Sequence, residues 1–428
     1  MVSEQPRAVF TGIGVLTPIG TGVESYWQAL RAGQSGVRPI QAFDASGLPI
    51  RIAGEVQNFD AKQYVDKKDR KSLKVMARAI QLAVAGTTLA LKDGQIEPAK
   101  LDPTRFGVEF GASLIPSELD DIAPAAKVAS NCQPGKVDLA VWGQQGLSQM
   151  PPLWMLKYLP NMSACHVSIL HNAQGPNNTI TENDVAPLLA INEAFRIITR
   201  GQADVMLCGG GDSKVNPLSL TRLCLFAALT KRNDAPHKAS RPFDRGRDGV
   251  VPGEGGGVLV LEELAHARKR GAKIYGEVVG SGASFDIKRN GDGLARSIST
   301  ALREAGITPD DLDHVNAQGF STVREDQWEA RALHKVFGQA QRKIPVFVAR
   351  SFFGSLGTGS TGAELAASLL AFRHGMLPPS LNYDQPDPEC PVNVLTGHLH
   401  QVERDYFLKL SFTELGQCAA LVVRRWRD

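Results

Sequence analysis

The sequence predicts an α/β fold in which a buried sheet flanked by amphipathic helices occurs twice, in residues 1–265 and again in residues 266–428. Three observations predict it. Short apolar runs ending on glycine alternate with helical periodicity, the alternation restarts after Lys273, and each half closes on an apolar strand. A chain of 428 residues, 43% hydrophobic and 21% charged, can bury such a core, which excludes disorder and collagen-like structure.

Taken in order, Arg7 to Gly14 reads as a strand and Val23 to Arg31 as the helix after a polar turn. Asp66 to Lys74, DKKDRKSLK, opens an amphipathic helix. From Gly111 to Asn161 periodicity fades while Pro, Gly, Gln and Trp accumulate, so this insertion is either a functional or interface segment or a packed surface excursion. CHVSIL, ending at Leu170, reads as a strand, and the polar turn after it opens into an apolar helix running to Arg200. Pro187 fits only the first turn of that helix, which puts Asp184 at the N-cap, where helix amides favour an ionised carboxylate. A carboxylate nucleophile is the alternative.

Strands follow at Ala203 to Gly210 and Gly256 to Glu263, and in the second half at IYGEVVGSGA and Leu312 to Ala317, with a helix from Gly293 to Gly306 between them. A hairpin, YFLKLSF from Tyr406 and CAALVVRRW from Cys418, mirrors the end of the first half. SRPFDRGRDGVVPGEGGG from Ser240 reads as a salt-bridged loop whose glycines permit close backbone approach.

Forty-seven basic against 44 acidic residues leave a formal charge of +3, too weak a field to make nucleic acid the expected partner. Six scattered cysteines without a C-x-x-C pair imply no metal site and a reduced, cytoplasmic protein. No signal peptide or membrane span is expected. The GxGxxG from Gly357 to Gly362 lacks a ribose-binding acid, so close helix packing is expected and no cofactor.

VFTGIGVLTPIG, FDASGLPIRIAGEV, GPNNTIT, ADVMLCGG, SRPFDRGRDGVVPGEGGGVLVLEE and NYDQPDPEC occur in an order and spacing that resembles the elongating β-ketoacyl-acyl carrier protein synthases. The resemblance covers nearly the whole chain. It implies a thiolase-like, five-layered αβαβα fold with two pseudo-duplicated halves, assembled as a dimer. It also implies a Cys-His-His site, and here this chain departs: the three positions read Asp184, Gln318 and Ser355, with Arg350 for the lysine before the second histidine. The helix glutamate is retained as Glu364. An acyl-aspartate would be a mixed anhydride prone to hydrolysis, and each lost imidazole donor would forfeit about 2.7–4 kcal/mol if it acted like an oxyanion-hole donor.

The expectation is therefore a ketosynthase-fold protein that does not condense, resembling the chain-length-factor subunits of type II polyketide systems and paired with an active ketosynthase. Glu182, Phe353, Thr413, Glu414 and Leu415 are the candidate substrate contacts, and the loss of glycines from the gating loop implies that its door no longer swings. Lys67, Lys68, Arg70, Lys71 and Lys74 are the candidate docking surface for an acidic acyl carrier protein; a solvated helix face explains the same run. Two further readings are a repurposed enzyme using Asp184 and Glu182, with Gln318 and Ser355 as hydrogen bonders, for acyl-thioester hydrolysis or proton transfer, and a non-catalytic homodimeric scaffold. A malonyl decarboxylase of this family would keep both histidines, which argues against it.

Overall fold

The computed structural model describes residues 6–427. Its central sheet is built from β1 (Ala8–Thr17), β2 (Phe106–Ala112), β3 (Asn177–Thr181), β4 (Val205–Ser213), β5 (Glu254–Glu263), β6 (Gly276–Phe285), β7 (Leu312–Asn316), β8 (Val346–Phe347), β9 (Tyr406–Phe412) and β10 (Gln417–Arg425). Their order is β8-β7-β9-β10-β6-β1-β5-β4-β2-β3. Divided between β6 and β1, this path becomes two five-stranded units of identical plan. Counting from its own first strand, each unit runs third, second, fourth, fifth, first. In each, the second strand is parallel to its neighbours and the fifth antiparallel to both of its own. The units meet over Ala8 to Phe10 against Gly276 to Val278.

The α-helices of nine or more residues are α1 (Val23–Arg31), α2 (Arg78–Asp93), α3 (Leu119–Ala129), α4 (Met162–His171), α5 (Ala186–Thr199), α6 (Pro217–Phe226), α7 (Asp292–Ala305), α8 (Val323–Phe337) and α9 (Ser360–His374). Helices α2 and α4 cover the outer face of the first unit and α7 and α8 that of the second, while α5 and α9 lie between the units. The result is five layers. Helix α9 is buried on all sides from Ser360 to Phe372; a helix so placed is largely apolar, and its one buried charge, Glu364, is paired with Arg350 and Lys409. It sits so close to β5 that a Cβ on Gly362 would fall 2.0 Å from the Gly257 carbonyl oxygen. The glycines of the GxGxxG thus serve packing, as expected.

Two local expectations are corrected. Cys165 to Leu170 is helical, within α4, because Ala164 and Val167 share one face and bury it in the core shared with α2 and β2; a short apolar run has no period of its own to decide between strand and helix. The basic run forms a 3₁₀ helix, Lys67–Val75, separate from α2, with Met76 extended between them. Like charges at Lys67/Lys71 and Arg70/Lys74 stand at the i,i+4 spacing that destabilises an α-helix.

The insertion contains α3, with Pro124 inside it, and a series of short turns. It leaves Leu139, Leu147, Leu153 and Met155 more than half exposed. Beside it, β3 is an end strand whose outer edge pairs with no strand among the described residues.

Candidate functional site

Asp184 lies in a single 3₁₀ turn, Asn183–Val185, immediately before α5. The expected N-cap role is not realised: Val185 holds the cap position and no side chain caps the helix, although Pro187 does occupy its first turn. A cation has drawn the carboxylate away. Arg350, on the one-turn helix Arg350–Phe353, donates from Nη2 to Asp184 Oδ1 at 2.9 Å, and Ser355 Oγ donates to the same oxygen at 3.2 Å. Both a cap and this bond are charge-assisted, but only the guanidinium brings a full opposite charge to the carboxylate. The Asp184 carbonyl accepts from Ser411 Oγ at 3.0 Å, which fixes the turn against β9.

The ion pair continues inward. Arg350 Nε donates to Glu364 Oε1 at 2.7 Å, Lys409 bonds Glu364 Oε2, and Lys409 Nζ also donates to Asn316 Oδ1 at 3.1 Å. Arg350, Glu364 and Lys409 are at most 2% exposed. Two cations and two carboxylates therefore alternate in a neutral chain. Burial alone would raise the Glu364 pKa, but Lys409 and Arg350 hold it below the usual range. Burial lowers the pKa of Lys409 despite Glu364 beside it; for Arg350, burial is outweighed by Glu364 and Asp184 and its pKa rises.

Gln318 is also fully buried and faces a different task. Its Nε2 donates to the Phe412 carbonyl at 2.8 Å while the Phe412 amide donates back to Oε1 at 2.5 Å, so the side chain clamps the end of β9. The amides of Gln318 and Gly319 donate to Glu329 at 2.8 and 2.9 Å. Gln318 and Asp184 share no hydrogen bond among the described residues.

A cavity of about 640 Å³ opens over Asp184 and Ser355. Its wall contains neither cysteine nor histidine among the described residues. Of the candidate substrate contacts, Glu414 lines it. Glu182 instead accepts from Gln417 Nε2 at 2.8 Å, Phe353 packs in the central core, and Leu415 is exposed beside the cavity rim. Thr413 is bonded to Gln417 through both side chain and backbone, closing the turn that replaces the glycine-rich loop. Gly416 keeps a φ of 112°, and a Cβ there would lie 2.5 Å from the Asp286 carbonyl oxygen.

Lys67, Lys68, Arg70, Lys71 and Lys74 are all exposed; Arg70 folds back to the Lys62 carbonyl at 2.8 Å. No cluster of three or more metal-ligating side chains occurs among the described residues, and no helix is long and apolar enough to cross a membrane. The salt-bridged loop is present: Arg241 pairs with Asp244, and Arg247 with Asp387 and Asp326. Ser368, His314 and Asp313 have the spacing of a hydrolytic triad, 2.9 and 2.8 Å, yet each is at most 3% exposed and no substrate reaches them.

Sequence reasoning missed Lys409 and the group Ser113, Asp212 and Lys214. A signal for each existed. Lys409 is the only charge in YFLKLSF, and a charge in a buried strand requires a partner. Asp212 and Lys214 stand at the carboxyl end of an apolar strand, where α/β sheets place ligands.

Residues 6–267 match the N-terminal domain of beta-ketoacyl synthases and residues 275–384 the C-terminal domain. The chain is 36% identical over 430 residues to the 3-oxoacyl-[acyl-carrier-protein] synthase 2 of Synechocystis sp., covering 99% of both chains. It is 35% identical over 433 residues to the tetracenomycin polyketide synthase ketoacyl synthase alpha subunit of Streptomyces glaucescens, covering 99% of this chain and 98% of that one. Among solved structures, the ishigamide ketosynthase/chain length factor superposes with a TM-score of 0.87 at 30% identity, covering 99% of this chain and 100% of that chain.

Proposed function

The chain belongs to the β-ketoacyl synthase family, and from that membership we propose that it is a non-condensing member that handles carrier-protein-bound acyl chains in fatty acid or type II polyketide assembly. In this reading it pairs with an active ketosynthase, as a chain-length-factor-like subunit, and its cavity helps to shape the space for the growing chain.

The observation that carries the reading is the bonding of Asp184. The position that the family resemblance assigns to the nucleophile holds a carboxylate bound by Arg350 and Ser355. Its oxygen is neutralised by a buried guanidinium and is a poor attacking group. Gln318, at the first histidine position, spends its amide on the Phe412 backbone, and Ser355, at the second, donates to Asp184. Gln318 is buried away from the cavity wall and the Ser355 hydroxyl is spent on Asp184, so neither offers a donor to an enolate there. The repurposed-enzyme reading draws less support, since Glu182 is engaged by Gln417 and does not line the cavity.

Pairing is supported by the open edge of β3 and the exposed apolar side chains of the neighbouring insertion, since both call for cover. The exposed lysines of Lys67–Val75 supply charge complementary to an acidic carrier.

Incubation with acyl and malonyl carrier protein thioesters, followed by mass spectrometry, tests the proposal. The expected result is no condensation, decarboxylation or hydrolysis by the chain alone. Any of these products, abolished by Asp184→Ala, would refute it.

A further inference from the structure

We propose that the cavity selects an acyl chain bearing neutral carbonyl or hydroxyl oxygens over a saturated one, through a hydrogen bond from Lys214; this rests on the reading of the cavity as an acyl-chain site. At its wall, Lys214 Nζ lies 2.7 Å from Ser113 Oγ and 2.9 Å from Asp212 Oδ2, and all three residues border the open space. An ammonium has three N–H donors and accepts nothing. Ser113 takes one in a hydrogen bond, and Asp212 pairs with the ammonium charge. Nζ meets no further acceptor among the described residues, so N–H capacity remains on the cavity side, and the Lys214 side chain keeps 22% of its surface exposed.

The group is fixed from behind. Asp212 is 2% exposed and accepts from Ser113 Oγ at 2.8 Å, from the Ser213 amide at 2.8 Å and from the Thr358 amide at 3.3 Å. The lysine is thus held in place by a carboxylate that is itself held by backbone. Asn183, Ser219 and Ser355 add polar groups to the same wall, while Leu223, Val250 and Phe320 supply apolar area.

A methylene chain laid over Lys214 strips water from its open N–H and returns no acceptor, whereas a carbonyl or hydroxyl oxygen replaces that water. The remaining charges decide against an anionic ligand. Asp184, Asp248, Glu325 and Glu414 outnumber Arg222 and Arg324 in the lining, so a carboxylate entering the cavity meets a net negative wall. Neutral oxygens on the chain satisfy the donor without that repulsion.

Calorimetric titration of the intact chain with octanoyl, 3-oxooctanoyl and 5-oxooctanoyl thioesters of N-acetylcysteamine tests this. At least one oxo thioester is expected to bind about tenfold more tightly than the octanoyl thioester, the factor appropriate to one hydrogen bond from a charged donor. Lys214→Met is expected to erase the preference. Because that variant leaves Asp212 buried without its cation, Asp212→Asn/Lys214→Met serves as a second variant that removes both charges, with melting curves to verify folding. Equal or tighter binding of the octanoyl thioester by the parent chain overturns the proposal, as does a preference that survives both variants. Binding of none of the three thioesters would instead overturn the acyl-chain reading, so the two failures are distinguishable.

Discussion

Lys409 and Lys214 are the same residue in two settings. Lys409 is fully enclosed and bonded to Glu364 and Asn316. Lys214 is bonded just as closely to Asp212 and Ser113, but one side of it faces open space. Both are paired, so pairing alone does not separate a structural ion from a binding one. What separates them is whether a donor remains where a ligand can reach it.

The largest effect expected from breaking this comparison lies at the enclosed end. Lys409→Met leaves Glu364 and Asp184 with only Arg350 between them, and the loss of one partner from a buried ion pair costs about 3–5 kcal/mol. Urea denaturation measures it. Adding Asp184→Asn restores neutrality, so the double variant is expected to recover about 0.5–3 kcal/mol relative to the sum of the single changes. Strict additivity would show that the four charges do not act as one chain.

Asp184→Ala alone is expected to cost less, about 1–3 kcal/mol, because its side chain is partly exposed and water can reach Arg350 from the cavity. Asp184→Cys is expected to gain no condensing activity in the mass-spectrometric assay, since Gln318 and Ser355 supply no imidazole.

A buried carboxyl with an unbonded oxygen sharpens the contrast. Glu109 on β2 is 2% exposed, its Oε2 has no hydrogen bond, and burial, with the Glu193 charge adding, raises its pKa to about 7. A carboxylate whose folded pKa exceeds its unfolded value binds more protons in the folded state. Its contribution is therefore complete below the unfolded pKa of about 4.3 and is lost as pH rises through about 7. Stability measured by urea at pH 5, 7 and 8 should fall across that window. Glu109→Gln should flatten the fall and be the more stable form at pH 8; an unchanged slope would place the dependence elsewhere.

The smallest effect belongs to fully solvated charges. Lys68→Glu and Lys71→Glu are each expected to weaken association with an acidic carrier protein by about 0.5 kcal/mol at moderate salt, and by less as salt is raised. Surface plasmon resonance at two ionic strengths measures this. A salt-independent loss would argue for a shaped contact instead.

The fold was legible because its clues are local and repeated: apolar strands ending on glycine, a restart after Lys273, and long motifs in register. Cys165 to Leu170 was misread because a six-residue apolar run carries no period, and only its packing within the core shared with α2 makes it helical. At the site, the identities of Asp184, Gln318 and Ser355 were plain in the chain. Their bonds were not. The sequence points to Asp184 as a cap because it shows the neighbours along the helix and conceals Arg350, 166 positions away. Lys214 went unnoticed for the same reason, since Ser113 is 101 positions removed.

Strand β3 ends at Thr181, and the next three residues include both Glu182, tied to the rim turn through Gln417, and Asp184, tied to the ion chain. A neighbouring polypeptide that zips onto the vacant side of β3 would grip the same short stretch that sets the shape of the chamber. Quaternary assembly and chamber geometry then form one lever: loosening the subunit seam would be felt at the rim before any residue lining the chamber had been altered.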